Sequence, residues 1–163
     1  MRIRVFSGIA TASTPLAAFD RALQAGGVHD ANLIVLSSVV PAGASVERAV
    51  VSPDEIRVGD RLYCVMAEER TSEPGTEAWA GLGWAVSETG DGGVFAEAHG
   101  RSEHQVRWDL ANTLETLVAD RPYLSGARTD MEVVGTASAA EPVCALVLAV
   151  YEVAPWRECA DSQ

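Results

Sequence analysis

Two stretches of this sequence carry apolar residues at the spacing of an amphipathic helix. The first begins at Thr14, an N-cap residue followed by proline, and ends at Gly26, the first of two glycines. The second begins at Ser102, with Gln105 as a capping-box partner, and ends before Pro122. The pattern therefore predicts two helices, each with one apolar stripe that must be buried against the rest of the molecule.

The remaining apolar segments are short and bounded by glycine, proline or polar residues, which is typical of β-strands. They lie at residues 3–7, 33–36, 61–67, 78–86, 94–98, 131–136 and 143–153. Segment 33–36 is continuously apolar, which predicts a strand covered on both faces. The loop-rich segment 41–60 contains two further candidate strands, 49–51 and 55–56, whereas the polar segment 68–76 predicts a loop ending in a Pro-Gly turn.

The order of these elements indicates the fold class. Two helices and six to eight strands, without a regular βαβ alternation, predict an α+β fold in which helices cover antiparallel sheets. The chain of 163 residues, of which 48% are hydrophobic, is long enough for one domain, residues 1–163, with a buried core.

Charge and hydropathy narrow the functional classes. The net charge of −11 argues against nucleic acid as a partner and is compatible with a cationic substrate. No apolar stretch is long enough to span a bilayer, so we expect no membrane association. The N-terminus alternates in polarity instead of showing the apolar core of a signal peptide, so we expect a cytoplasmic protein.

The cysteine, histidine and lysine content bears on the possible chemistry. Cys64 and Cys144 lie in apolar strand-like runs and are expected to be small core residues, whereas Cys159 lies in a polar tail and receives no role. The three histidines have no zinc-site spacing, so we expect no metal. The chain contains no lysine and therefore cannot bind pyridoxal phosphate as a Schiff base.

The most informative segment is 32–41, where an apolar run ends in two adjacent serines, Ser37 and Ser38. Two serines after a strand most often form a turn, because their hydroxyls satisfy nearby backbone groups. A serine hydroxyl held against the preceding carbonyl can also attack it and convert the peptide bond to an ester. β-Elimination then splits the chain, and the resulting dehydroalanine hydrolyses to a pyruvoyl group. The segment is therefore either a turn or a self-cleavage site that makes its own cofactor.

Four segments together resemble the pyruvoyl-dependent arginine decarboxylase family over most of the chain. They are the helical segment 16–23, the strand and serines of 32–41, the Pro-Gly turn at 74–75, and the segment FAEAHG at 95–100. The resemblance implies a four-layer αββα sandwich. It also implies a homotrimer with active sites between neighbouring subunits.

The resemblance implies roles for the residues around the serines. Cleavage between Ser37 and Ser38 would give a β chain, 1–37, and an α chain, 38–163, whose terminal pyruvoyl group forms a Schiff base with the substrate amine and serves as the electron sink. The matching Glu97 would reprotonate Cα after carbon dioxide leaves, and the matching Asn32 would help self-processing. Without the resemblance, these two residues would be interpreted as a solvent-facing carboxylate and a strand-edge asparagine.

The resemblance also implies a substrate pocket. Asp20 would pair with a guanidinium group, although a helical carboxylate is more often a solvated surface group. Leu16 and Val39 would line the pocket, a location compatible with an ordinary core role. His29 and Ala31 also fall at pocket positions, but the match is loose here, with bulkier and more polar residues, which bears on the substrate more than on the reaction.

The leading hypothesis is a self-processing lyase that converts arginine to agmatine and carbon dioxide. The same machinery acting on a different amino acid is the second hypothesis, and a non-catalytic trimeric homologue is the third. The family implies polyamine biosynthesis or acid resistance as outlets for the amine, and the sequence does not choose between them.

Overall fold

The computed structural model describes residues 1–156 and contains two helices and two β-sheets made mostly of long strands. The helices are α1 (Pro15–Gln24) and α2 (Glu103–Ala119), and single 3-10 turns occupy Pro53–Glu55 and Pro122–Leu124. The strands are β1 (Arg2–Thr11), β2 (Asn32–Val35), β3 (Val39–Val40), β4 (Ser45–Arg48), β5 (Arg61–Thr71), β6 (Glu77–Val86), β7 (Gly93–Gly100), β8 (Arg128–Ala137) and β9 (Val143–Ala154). The predicted α+β class is confirmed.

The strands form two separate sheets. The first sheet has the order β2-β5-β9-β1-β4, and the second has the order β3-β7-β6-β8. Neighbouring strands pair antiparallel except at the two edges of the first sheet, where β2 runs parallel to β5 and β4 runs parallel to β1. Because β2 and β3 are both edge strands, the short connection between them leaves the edge of one sheet and enters the edge of the other.

Three hydrophobic clusters hold these elements together. The largest lies between the two sheets and includes Val65, Leu82, Phe95 and Val147. The second packs α1 against the first sheet, and the third packs α2 against the second sheet. Cys64 and Cys144 are fully buried in the α1 cluster, which confirms their predicted core role, whereas Cys159 lies outside the described residues.

The helix boundaries follow the predicted capping residues. Thr14 Oγ1 accepts a hydrogen bond from Ala17 N at 3.2 Å at the start of α1. Ser102 Oγ accepts from Gln105 N at 3.4 Å at the start of α2. Helix α1 crosses β1 so closely that a Cβ atom at Gly8 would lie 2.3 Å from the backbone oxygen of Ala22. The glycine therefore sets how near the helix approaches the sheet.

Several strand predictions were wrong. The segment 33–36 is not covered on both faces, because β2 is an edge strand and Val35 is 61% exposed. The predicted strands 49–51 and 55–56 are not formed: β4 lies earlier, and a 3-10 turn follows it. The polar residues 68–71 continue β5 instead of forming a loop, because β9 pairs with β5 as far as Thr71.

A charged cluster joins the sheets at the edge opposite β2 and β3. Arg48 of β4 donates to Asp130 at 2.6 and 3.0 Å and to Glu132 at 2.9 Å, both on β8. The hydrogen bond from Arg48 is the main reason why the pKa of Asp130 lies below its usual range. The guanidinium also lies 5.1 Å from the centre of the Trp84 ring, so this edge is closed by contacts between side chains.

Residues 1–156 contain neither a helix suited to crossing a membrane nor a cluster of metal-binding side chains. Among these residues, no helix is both long and apolar enough to cross a membrane. Nor does that part of the chain bring together three or more His, Cys, Asp or Glu side chains able to hold a metal ion.

Candidate active site

The two serines lie in the connection that crosses from the first sheet to the second. Leu36 N donates to Cys64 O of β5 at 2.8 Å, and Phe95 N of β7 donates to Ser38 O at 2.8 Å. Each side of the Ser37-Ser38 peptide bond is thus anchored to a different sheet. The peptide bond between these anchors spans the gap between the sheets.

Ser38 has an unusual backbone conformation. Its φ of 65° makes it the only non-glycine residue with positive φ among residues 1–156. This region costs an L-residue roughly 1–2 kcal/mol, so it persists only where the surroundings enforce it. The anchors on both sides provide that enforcement, and they place the strained residue at the predicted cleavage point.

The Ser38 hydroxyl contacts the carboxylate of Glu97. Ser38 Oγ donates to Glu97 Oε1 from the neighbouring strand β7. Glu97 shares the inner face of β7 with Phe95, because alternate residues of a strand point the same way. Sequence reasoning left open whether this carboxylate was buried or solvated, and in the single chain it faces Ser38 but is exposed.

Tyr151 completes this cluster and was missed by sequence reasoning. Its phenol, on β9, donates to Val39 O at 3.1 Å. Burial, and then the nearby charge of Glu97, raise the pKa of Tyr151 well above its ordinary value, so the phenol remains a donor. The only signal in the sequence is a single hydroxyl-bearing ring near the end of an otherwise apolar strand.

Four of the five predicted substrate residues line a separate cavity of about 590 Å³ between α1 and the loop before β2, whereas Val39 does not line it. Leu16 and Asp20 come from the helix, and His29 and Ala31 come from the loop. Asp20 is held by Gln24, whose Nε2 donates to Asp20 Oδ2 at 3.2 Å one helical turn later. His29 lies 3.7 Å from Asp30, measured between Nε2 and Oδ2. The cavity is therefore mainly apolar, with one carboxylate and one imidazole.

The single chain does not bring the two groups of residues together. Leu33, which lines the cavity, belongs to the cluster on the α1 side of the first sheet. Leu36 packs into the cluster between the sheets, where Glu97 also faces. The cavity and the Ser38–Glu97 contact thus lie on opposite sides of the first sheet, at its β2 edge.

Asn32 lies at the start of β2, away from the serine turn of its own chain. Its Nδ2 donates to Gly59 O at 2.7 Å, and the alternation of the strand points its side chain to the face opposite Leu33, which lines the cavity. The length of β2 alone, at about 3.3 Å per residue, places Asn32 about 10 Å from the strand end that precedes the serines. Val39, in contrast, follows Ser38 directly and is 54% exposed at the same edge.

Comparison with known proteins assigns the family. The family model for pyruvoyl-dependent arginine decarboxylase matches residues 2–153, nearly the whole chain. The chain belongs to this family. A pyruvoyl-dependent arginine decarboxylase from Halobacterium salinarum is 37% identical over 151 residues, which cover 92% of this chain and 93% of that protein. Another from Thermococcus sibiricus is 42% identical over 91 residues, 56% of each chain.

The residues around Ser38 fit the pyruvoyl group that gives the family its name. The two anchors on Leu36 and Ser38 hold each chain end in place if the bond between Ser37 and Ser38 is broken. A group formed from Ser38 would remain attached to the start of β3, beside Glu97, and the phenol of Tyr151 would hold the next residue, Val39. Burial raises the pKa of the Cys64 and Cys144 thiols to about 12, so neither supplies a competing nucleophile near neutral pH.

Proposed function

We propose that this protein is a self-processing, pyruvoyl-dependent decarboxylase that converts arginine to agmatine and carbon dioxide. The observation that carries the proposal is the contact of Ser38 Oγ with Glu97 at a strained turn held between two sheets. The family and its relatives' names support the reaction and the substrate.

The first step is cleavage of the chain into residues 1–37 and 38–163. Ser38 Oγ–H donates to Glu97, which is the position of a base that takes the proton as Oγ attacks the carbonyl carbon of Ser37. The attack replaces the amide bond with an ester, and β-elimination then releases the carboxyl end of Ser37. The strain at Ser38 favours this step because cleavage releases the constrained backbone.

The pyruvoyl group, once formed from Ser38, supplies the electron sink for decarboxylation. The chain's own residues then handle charge and protons around it. Phe95 N–H, 2.8 Å from Ser38 O, is aimed at the amide carbonyl where electron density would collect. Glu97 would deliver the proton that Cα needs after carbon dioxide leaves.

Substrate binding requires a second copy of the chain. Asp20, Leu16, His29 and Ala31 line a cavity that lies on the other side of the first sheet from Ser38. We infer that the cavity of one subunit faces the Ser38–Glu97 pair of its neighbour in a homotrimer, where Asp20 pairs with the guanidinium. The exposed apolar side chains Leu16, Val35 and Val39 support such an interface.

This arrangement gives Asn32 a role across the interface. Asn32 lies at the β2 edge, between Ala31 and Leu33 of the cavity, so we infer that its amide reaches the serine turn of the neighbouring subunit and supports the developing oxyanion there. The same proposal includes a four-layer αββα arrangement of one domain. The cluster between the sheets and the two clusters under the helices support it.

The decisive experiment is intact mass under denaturing conditions, with Ser38→Ala as the control. We expect two fragments that meet at Ser37 and Ser38, with the larger one carrying a pyruvoyl terminus, and a single uncut chain in the control. Carbon dioxide release is then measured with arginine and with a panel of basic, acidic and aromatic amino acids.

The outcomes separate the three hypotheses. Cleavage with activity on arginine alone supports the proposal. Cleavage with activity on another amino acid would assign the same machinery to a different substrate, with His29 as the residue to vary first. A single uncut chain with an ordinary serine at position 38 and no activity would contradict the proposal and favour a non-catalytic homologue.

A further inference from the structure

A carboxylate–imidazole pair lies beside Glu97, and neither residue has a role in the processing and decarboxylation steps proposed for this protein. Glu69 Oε2 of β5 lies 2.6 Å from His99 Nδ1 of β7, so the pair joins the two sheets. The Glu69 side chain is 20% exposed, whereas that of His99 is 62% exposed. The sequence alone did not indicate a role for Glu69, because its polar segment, 68–76, was predicted to be a loop and not part of a strand.

His99 and Glu97 share one face of β7. Alternate residues of a strand point the same way, and about 3.3 Å per residue places their Cα atoms roughly 7 Å apart. Ala96 and Ala98 point to the other face, into the cluster beneath α2. Arg101, just beyond the end of β7, is 3.4 Å from Glu73, and both side chains are well exposed. His99 is therefore the titratable side chain that follows Glu97 along the inner face.

Decarboxylation consumes one proton in every turnover. When the carboxylate leaves as carbon dioxide, its bonding electron pair remains with the substrate and its electron sink, and Cα then takes a proton from Glu97, which is left ionised. Glu97 must regain a proton before the next substrate reacts. The group that supplies this proton must exchange with solvent and lie within reach of Glu97, directly or through one water molecule.

We propose that His99 is the proton relay that restores Glu97 between turnovers, and that Glu69 is the residue that positions it. This inference rests on the proposed function. Nε2–H of the imidazolium gives its proton to the Glu97 carboxylate, and the neutral ring regains one from a buffer acid or water. Glu69 accepts Nδ1–H, which orients the ring and leaves Nε2 for the transfer.

The relay acts only after Glu97 has given its first proton to the substrate. Loss of the relay should therefore slow later turnovers of arginine and leave the first unchanged. In the cleaved His99→Asn enzyme, rapid-quench measurement should show the first turnover of arginine unchanged within about twofold. Later turnovers should be slowed by about 10- to 100-fold, and imidazole added to the buffer should restore them. His104→Asn, in the exposed first turn of α2, is the matched control and should behave as wild type.

Two kinetic outcomes would overturn the relay. If His99→Asn slows the first and later turnovers equally, His99 only shapes Glu97 or the substrate site. If it slows neither, the proton reaches Glu97 by another route. A wild-type protein that releases no carbon dioxide from any amino acid would be a failure of the proposed function, which is a different result from either of these.

A second readout does not depend on activity. In the uncleaved Ser38→Ala protein, 15N NMR of the histidine rings should show the His99 signals shifting on Glu69→Gln and on Glu97→Gln, while those of His104 stay unchanged. No response of His99 to Glu97→Gln would contradict the coupling that the relay requires. No response to Glu69→Gln would contradict the positioning role of that carboxylate.

Discussion

Ser38 combines the reacting hydroxyl and the backbone strain in one residue. Its positive φ is held by a hydrogen bond on each side, one to each sheet. A serine elsewhere in a relaxed turn would have the same hydroxyl but neither the strain nor a carboxylate held beside it. We conclude that the turn geometry, and not the serine pair alone, makes this position suited to cleavage.

The strain at Ser38 can be measured directly. Ser38→Gly and Ser38→Ala both remove the hydroxyl and should both stay uncleaved, but glycine adopts positive φ without steric cost. We expect Ser38→Gly to be more stable than Ser38→Ala by about 1 kcal/mol in urea unfolding.

Residue 37 provides the control for this comparison. Ser37 is not among the residues with positive φ, so in the uncleaved Ser38→Ala protein Ser37→Gly should be less stable than Ser37→Ala. Equal stability of Ser38→Gly and Ser38→Ala would show that the chain relaxes at this turn and that strain does not contribute to cleavage.

At the scale of elements, the cavity depends on how α1 sits on the first sheet. Helix α1 supplies Leu16 and Asp20, and its distance from β1 is set by Gly8. Arg70 of β5 adds a contact on the same side, since its guanidinium lies 4.2 Å from the centre of the Phe19 ring. Small displacements of the helix would therefore move Asp20 relative to the rest of the cavity.

Gly8→Ala should disturb this helix. The added Cβ would lie 2.3 Å from the backbone oxygen of Ala22, and a backbone atom cannot rotate away as a side chain can. We expect a loss of about 1–3 kcal/mol in urea unfolding and, in the cleaved enzyme, a raised KM for arginine. Gly100→Ala, where a Cβ would meet nothing within 4 Å, is the control and should change stability little. Equal stability of Gly8→Ala and wild type would mean that α1 is free to move outward.

At the scale of the whole molecule, the separation of the cavity from the serine turn within one chain supports the proposed sharing of the active site between subunits. The first sheet lies between them, and exposed apolar side chains occur on both α1 and the β2–β3 edge. A cyclic trimer uses one contact repeatedly, so each cavity can meet the serine turn of the next subunit. Glu97, exposed in the single chain, would become enclosed at that contact.

Subunit complementation tests this arrangement. Chains carrying Asp20→Asn retain the serine turn, and chains carrying Ser38→Ala retain the cavity. When the two are coexpressed, about a quarter of the sites in randomly mixed trimers should combine both intact parts and regain activity. Each variant alone should be nearly inactive on arginine.

The control replaces the second chain with one that carries both substitutions. That mixture contains the same serine turns but no intact Asp20, and it should remain inactive. Mixed trimers of the two single variants that show no activity above the separate variants would place the whole site within one chain and contradict the shared arrangement.

Local patterns in the sequence were enough to predict the helices and the class of fold, and to single out Ser37 and Ser38 as the candidate cleavage site. Capping residues and 3.6-residue periodicity are local, so both helices were predicted close to their observed bounds. The apolar runs of the long strands are also local patterns, and they gave the α+β class. The serine pair and the segment around Glu97 were found because their motifs are short and contiguous.

Which faces of those elements are covered depends on contacts between distant segments, so it was known only from the folded structure. A continuous apolar run such as 33–36 is compatible with a buried strand or with an exposed edge strand, and the strand order and the exposure of Val35 show the second. The polar residues 68–71 became part of β5 because β9 pairs with them, and this placed Glu69 against His99. Tyr151 and Asn32 likewise acquired their surroundings from residues more than 20 positions away, contacts that no local pattern encodes.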